Sequence, residues 1–574
     1  MRKYIHFLFA GFILGVTSCE DFLEPRPIGS RLTEEELMKD PSFIEGLLMS
    51  AYGALPNDYN NLDLDLATDN AVTNQKGAAI SNMATGSWTS SYNPISEWET
   101  AHEQIRHLNL FLEKYEQVDW AFTPVLTPAQ NAEKNRYMLK RLKGEAHGMR
   151  AYYMSRLLQF HSGRTSDGTL LGFPIITASL EPADNWKLPR NTFAQCVQQI
   201  MTDLDTAIAN LPPVYADIAG QSMYNAAIGA RYKNRLNGNS AKAIKARVAL
   251  LAASPAFSDQ SGVTWADAAL IAGNLLKDIG TVEANGKTFY IYNTTRPREI
   301  IWEQSVVKIR TAEVNNFPPS LYGRGRTNPT QSLVDAFPMA NGYPITADVL
   351  LSGYDPTNPY TGRDPRLGEY ILYNGSTFKA VQINTHVDDE DDGLNVLETS
   401  TRTGYYLKKL MSPGVSLTPG NLVSSDHTYV LLRLREVLLN YAEAANEAWG
   451  PDGDPQALGF TARQKIQELR TAAGIASPTY LNSISDPGDM RTLIRNERRI
   501  ELCFEGFRFW DLRRWNDPAA LNNPANGVSI KIDNAIPTYT YLDVESRIYQ
   551  PYMLYGPIPF NETIKYNIQQ NAGW

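Results

Sequence analysis

Basic excess is missing from this sequence: 53 Lys and Arg stand against 62 Asp and Glu in 574 residues, a net charge of −9 at pH 7. No long basic run breaks that acidic background, which excludes a general nucleic-acid binder. Cysteine is scarce as well, with three in the whole chain, so no disulfide framework organises it. Cys196 and Cys503 lie among apolar helical neighbours and read as packing residues, in a chain long enough to hold a core without cross-links. After residue 18 no stretch approaches the roughly 18 unbroken apolar residues of a membrane span. With 43% hydrophobic and 20% charged residues, wholesale disorder is also excluded.

Catalytic signatures are missing too. There is no G-x-x-x-x-G-K-[ST] phosphate loop, no G-x-S-x-G nucleophile elbow and no C-x-x-C pair. His102-Glu103-Gln104-Ile105-Arg106-His107 spaces its histidines five apart, about 140° around a helix, so they cannot share a zinc ion as H-E-x-x-H does. Asp388-Asp389-Glu390-Asp391-Asp392-Gly393 imitates the start of a calcium loop, but its twelfth position is Thr399 where a bidentate Glu is required. With 62 carboxylates, some pair falls at glycosidase spacing by chance, so counting them establishes no hydrolysis. No catalytic residue, metal or cofactor is expected.

What is present begins with Arg2 and Lys3 ahead of an apolar run from Ile5 to Val16, a secretory leader too short to span a bilayer. It ends Gly15-Val16-Thr17-Ser18-Cys19, which resembles a bacterial lipobox with Cys19 as the acylated new N-terminus. Residues 1–18 are then the signal peptide and 19–40 the acylated Cys and linker, holding a protein that is anchored and does not span. Glu20, Asp21 and Glu24 resemble the acidic export signals of surface lipoproteins in the Bacteroidetes.

From about residue 41 to 574 the chain alternates amphipathic helices with long irregular tracts. Trp98, Ala101, Ile105, Leu108 and Leu112 form one apolar stripe, and Phe193, Val197, Ile200, Leu204, Ile208 and Leu211 another. Thr127-Pro128 opens a helix reaching about Phe160, Asn191 and Ser240 read as the next caps, and residues 429–449 and 489–515 are helical, with a break at Gly506. Tracts 53–96, 162–190, 281–330, 338–428 and 516–574 are rich in Gly, Pro, Asn, Tyr and Trp. Irregular tracts of that length usually carry function. The expected fold is mainly α, a scaffold of degenerate helix–turn–helix repeats with an elaborate loop face and minor β structure. Its N-terminal part (about 41–240) and C-terminal part (about 241–574) pack as one unit.

The stretch Asn496-Glu497-Arg498-Arg499-Ile500-Glu501-Leu502-Cys503-Phe504-Glu505-Gly506-Phe507-Arg508-Phe509-Trp510-Asp511-Leu512-Arg513-Arg514-Trp515 closely resembles the C-terminal signature of the SusD/RagB family. Further matches are the lipobox, Trp98 with Ile105 and Asn109, Pro329-Thr330-Gln331 with Asp335, Asp364-Pro365-Arg366, Arg433 to Leu439 with Tyr441-Ala442-Glu443-Ala444, and Leu469-Arg470. The resemblance covers essentially the whole mature chain. It implies a tetratricopeptide-like scaffold, a place on the outer face of the outer membrane, capture of a glycan or other nutrient, and delivery to a SusC-like TonB-dependent transporter. The signature itself reads as structure: its alternating Arg and Glu pair along helix faces while Ile500, Phe504, Phe507 and Trp510 fill the core.

Sugar rings stack their C–H faces on aromatic side chains and hydrogen-bond amides, carboxylates and guanidiniums, so aromatics beside such groups on loops are the pattern to seek. Asp69-Asn70 followed by Trp88-Thr89-Ser90-Ser91-Tyr92-Asn93 is one candidate, and starch-binding family members place a stacking Trp and a bonding Asn in this region. The same aromatics are equally suited to packing on the scaffold. The second candidate is the turn Phe317 to Arg326, with Tyr322 and Arg324, where two arginines flanked by glycines suit an acidic sugar or an ordinary charged turn. Trp302 sits in a β-like run and reads as packing. Two other functions stay open from the residues alone: a surface glycoside hydrolase or lyase with an unrecognised carboxylate pair, and a transporter lid that binds peptide or no soluble ligand.

Overall fold

A computed structural model describes residues 34–57, 63–120, 123–292 and 297–574. The leader, the lipobox with Cys19 and the acidic stretch after it lie outside the described residues. Capping chemistry starts the long helices. Asp40 caps α1 (Pro41–Gly53), accepting from the Phe43 N–H at 2.8 Å. After α2 (Trp98–Lys114), Thr127 and Gln130 form a reciprocal capping box at the head of α3 (Pro128–His161), with Pro in the first turn. The next two caps differ from the expected ones. Thr192, not Asn191, caps α4 (Phe193–Asn210), because the Asn191 amide oxygen instead accepts from the Ile175 N–H at 2.9 Å. Asn237 caps α5 (Gly238–Ala253), and Ser240 is held inside the first turn by its bond to the Asn237 side chain.

Helices α6 (Trp265–Ile279), α7 (Leu434–Trp449), α8 (Ala462–Ala473), α9 (Pro487–Glu501) and α10 (Phe507–Arg514) complete the long elements. Each helix from α1 to α7 packs on the next, and α7 also carries α8 and α9. That serial packing is how a repeat scaffold buries faces that no single hairpin can bury alone. One apolar core runs through it from Ile44 to Ile568 and takes in Trp98 and Trp302. The break between α9 and α10 centres on Phe504 and Gly506, both left-handed, at φ 63° and 79°.

A second core lies under the loop face and includes Trp88, Phe317, Tyr405, Tyr406, Phe509 and Trp510. Short two-stranded sheets staple the loops over it. Strand β1 (Ala71–Thr73) pairs antiparallel with β3 (Thr327–Pro329), and β2 (Ile300–Glu303) with β4 (Val430–Arg433). Residues 430–433, expected as the start of a helix, are therefore strand, because Val430 and Leu432 find backbone partners on Glu303 and Trp302. A long hairpin of β5 (Ala525–Asp533) and β6 (Ile536–Glu545) stands in the tract expected to be irregular.

Charged residues of the C-terminal signature hold the two cores together. Arg366 meets Asp364 at 2.7 Å and Glu497 at 2.8 Å, and Arg433 meets Glu299 at 2.9 Å and Glu505 at 2.7 Å, all buried but the partly exposed Glu505. Arg514 reaches Glu443 on α7 with two bonds of 2.6 Å, and the Trp515 indole N–H donates to the same carboxylate.

Candidate functional site

The structure corrects the first candidate segment. Asp69 is 8% exposed and Asn70 fully buried. Arg508 clamps Asp69 bidentately, both bonds 2.8 Å, and Arg499 adds a contact of 3.1 Å. Burial alone would raise the Asp69 carboxyl, but the two guanidiniums override it and hold it well below the usual carboxylate range. Asn70 accepts from Arg499 at 2.9 Å and donates to Asp65 at 2.7 Å. Both side chains are thus spent on the signature and are structural.

Trp88 is likewise no open platform. It is 2% exposed, with Trp574 edge-on at 4.9 Å and Phe509 tilted at 5.9 Å. Its indole N–H donates to Asn93 at 3.1 Å, so the Trp88–Asn93 pair is an internal bond, not a ring beside a free amide. Tyr92 remains 41% exposed, on a loop bonded to the C-terminal segment through Phe560 N–H to Ser90 O.

The second candidate segment does form an outward-facing feature. Pairing of β1 with β3 brings residues 74–76 against the turn of residues 317–326. Asn74 is the hinge-pin: its Nδ2 points at the carbonyls of Arg324, Gly325 and Ser400 at 3.0, 2.9 and 3.2 Å, and its Oδ1 accepts from Arg326 at 3.1 Å. The turn folds back on the short helix Thr311–Asn316, with the N–H groups of Arg324 and Arg326 donating to Val314 and Asn315. This return path explains the glycines. A Cβ on Gly323 would lie 2.1 Å from the Phe317 carbonyl oxygen, and one on Gly325 would lie 2.4 Å from that of Thr399. Gly323→Ala is expected to loosen the turn, read as faster amide exchange of residues 322–326 with little change in global unfolding.

Tyr322 tops the turn. It is 58% exposed and left-handed, at φ 63° and ψ 20°, a conformation that costs a bulky residue energy and recurs at binding sites. Arg324 beside it is exposed, Arg326 is half-buried, and Lys76 and Glu398 stand across from them, 3.3 Å apart. Asp392 supports the base of the turn, accepting from the Ser320 N–H at 2.9 Å, and burial pushes its carboxyl up to about 6.

A tyrosine-rich surface was not anticipated from the sequence. Tyr360 stacks on Tyr373 at 4.4 Å and meets Tyr539 of β6 at 6.1 Å, while Tyr541 is 52% exposed. Gln331 and Asp335, joined at 2.8 Å across one turn, belong to the short helix Gln331–Ala336 that packs on the hairpin. The alternation Thr538-Tyr539-Thr540-Tyr541 was the available signal. Elsewhere, a cleft of about 500 Å³ between α2, residues 174–188 and the C-terminal segment has half-exposed Trp186 on its wall. His102 and His107 on α2 bond the Trp98 carbonyl and the Ser50 hydroxyl, and do not converge.

Two family models match the chain: the SusD family over residues 298–574, and a model described as starch-binding associating with outer membrane over residues 21–231. The chain belongs to the SusD family. SusD-like protein P38 of Formosa agariphila is 23% identical over 531 residues, covering 90% of this chain and 92% of that one. A SusD-like protein from Bacteroides fragilis superposes with a TM-score of 0.73 at 24% identity, covering 94% of this chain and 99% of its own. A SusD-like carbohydrate binding protein from the same species gives 0.70 at 20% identity, covering 92% and 98%. The serial helix packing is accordingly the tetratricopeptide-type scaffold of SusD-like proteins, with minor sheets.

Proposed function

We propose that this SusD-family protein is a non-catalytic, cell-surface lipoprotein, anchored through Cys19. It binds oligo- or polysaccharide and passes it to a SusC-like TonB-dependent transporter in the outer membrane. The observation that carries glycan binding is the Tyr322 turn: an aromatic ring held out to solvent on a backbone locked by Asn74, beside the exposed Arg324 guanidinium. A pyranose face stacks on such a ring while its hydroxyls reach Arg324. The open setting suits a polymer that must be captured and then released. Tyr92 is a secondary contact point in this reading. The similarity to a carbohydrate binding SusD-like protein and the model describing starch-binding at the outer membrane support the assignment of ligand class and location.

Two measurements test it. Purified protein incubated with a glycan panel is expected to show retarded mobility on at least one glycan with no new reducing ends; product formation overturns the non-catalytic reading. Tyr322→Ala is expected to cost about 0.5–1.5 kcal/mol of affinity, the scale of an aromatic contact beyond buried area. Unchanged affinity in a folded variant removes the turn from the site.

A further inference from the structure

Arg324 is set apart from the other arginines of the loop face. The guanidiniums of Arg498, Arg499, Arg508, Arg513 and Arg514 in the signature are each matched to carboxylates or carbonyls, whereas the exposed Arg324 side chain makes no hydrogen bond or ion pair among the described residues. Arg326 donates to Asn74 and meets no carboxylate within 4 Å among the described residues. Lys76, a third cation on the same rim, pairs only with Glu398, both nearly nine-tenths exposed, a contact worth little in water. The neighbouring acids are otherwise engaged: Asp392 with Ser320, and Asp389 with the N–H groups of Asp391 and Asp392. Burial and the adjacent Arg324 charge push the Arg326 guanidinium down and outweigh the opposing pull of Glu398, so the two cations repel across a turn too tightly braced to let them part.

Such a pair lowers its energy by sharing an oxyanion. We propose that Arg324 and Arg326 make this turn a receptor for anionic saccharide, its carboxylate or sulfate groups held in bidentate fashion while Tyr322 stacks the ring. This deepens the reading of the turn as the glycan site and rests on it. The overall charge of −9 makes the local cation excess more telling, since long-range attraction does not draw polyanions to this protein and the contact must be local.

The test is native electrophoresis of the mature protein through gels holding dextran or dextran sulfate, and methyl-esterified pectin or polygalacturonate. The charged member of at least one pair is expected to retard the protein more than its neutral partner, and less as salt rises. Which pair responds separates sulfate from carboxylate recognition. Joint Arg324→Ala and Arg326→Ala substitution is expected to weaken that binding about tenfold or more, the scale of a charged hydrogen bond, with an unchanged melting temperature. Arg136→Ala, removing an exposed guanidinium on α3, serves as charge control. Equal loss in that control, no loss in the double variant, or no preference for a charged polymer overturns the proposal. If Tyr322→Ala abolishes binding and the arginine pair does not matter, the glycan site stands and the charge inference falls. If only the arginines matter, the charge inference stands and stacking falls.

Discussion

Replacing Trp88 with alanine is expected to cost about 3–5 kcal/mol of stability and to leave glycan affinity of the folded protein unchanged. The ring is sealed between Trp574, Phe509 and the Arg513 guanidinium, which lies 5.3 Å from its centre. Removing it opens a cavity lined by side chains that α10 and the chain terminus fix in place, and the Asn93 oxygen keeps only the longer bond from the Ile95 N–H, at 3.4 Å. Arg513 would also lose a face that shields it: burial, without a carboxylate nearby, already pushes its guanidinium down to about 9. Urea unfolding should show a lower midpoint at constant slope. A stable variant that no longer binds glycan would return Trp88 to the ligand site and invalidate the packing assignment.

Glu443→Gln should destabilise by a similar amount, about 3–5 kcal/mol, because it removes the carboxylate that takes two of the buried Arg514 guanidinium's bonds and leaves Asp511 as its one charged partner among the described residues. Burial pushes the Glu443 carboxyl up, yet Arg514, with help from Arg498 and the Trp515 indole, overrides this and holds it at about 2. Its ordinary value is 4.5, so the native state favours the ionised form. The stability this confers is fully present above about pH 4.5 and is lost as pH falls toward 2. A shift of that size corresponds to about 3 kcal/mol at neutral pH. Glu501, held at about 2 against burial by Arg435, Arg433 and Arg366, acts in the same direction over the same window. Acid unfolding of the wild type should therefore steepen below pH 4.5, and the Glu443→Gln variant should show a shallower acid limb from a lower plateau. An acid limb identical in the two proteins would show that this carboxylate carries no such linkage.

The legible and illegible parts of the chain divide along physical lines. Stripes such as Trp98 to Leu112, and the Thr127-Pro128 start, predict helices correctly because they depend on contacts within a few residues. The cap at Thr192 was missed by one position because Asn191 has a competing partner, Ile175, sixteen residues away. The strand of residues 430–433 and the hairpin of residues 525–545 were missed because pairing partners, not local pattern, make them strands. The same division runs through the candidate site. Trp88-Asn93 and Asp69-Asn70 have the composition of a sugar site, but whether such residues face water depends on what folds over them, and here the C-terminal signature and Trp574 cover Trp88, Asp69 and Asn70 while Tyr92 stays open.

The sequence by itself determined the helical scaffold, the family, and the structural role of the Arg- and Glu-rich signature, since periodicity and that signature are written in consecutive residues. Tertiary structure alone decided which aromatics are walls and which are open surface. It closed Trp88 behind Trp574 and raised Tyr322 on a turn pinned by Asn74 from 250 residues away. Exposure is a property of the assembled fold, and no local spacing encodes it.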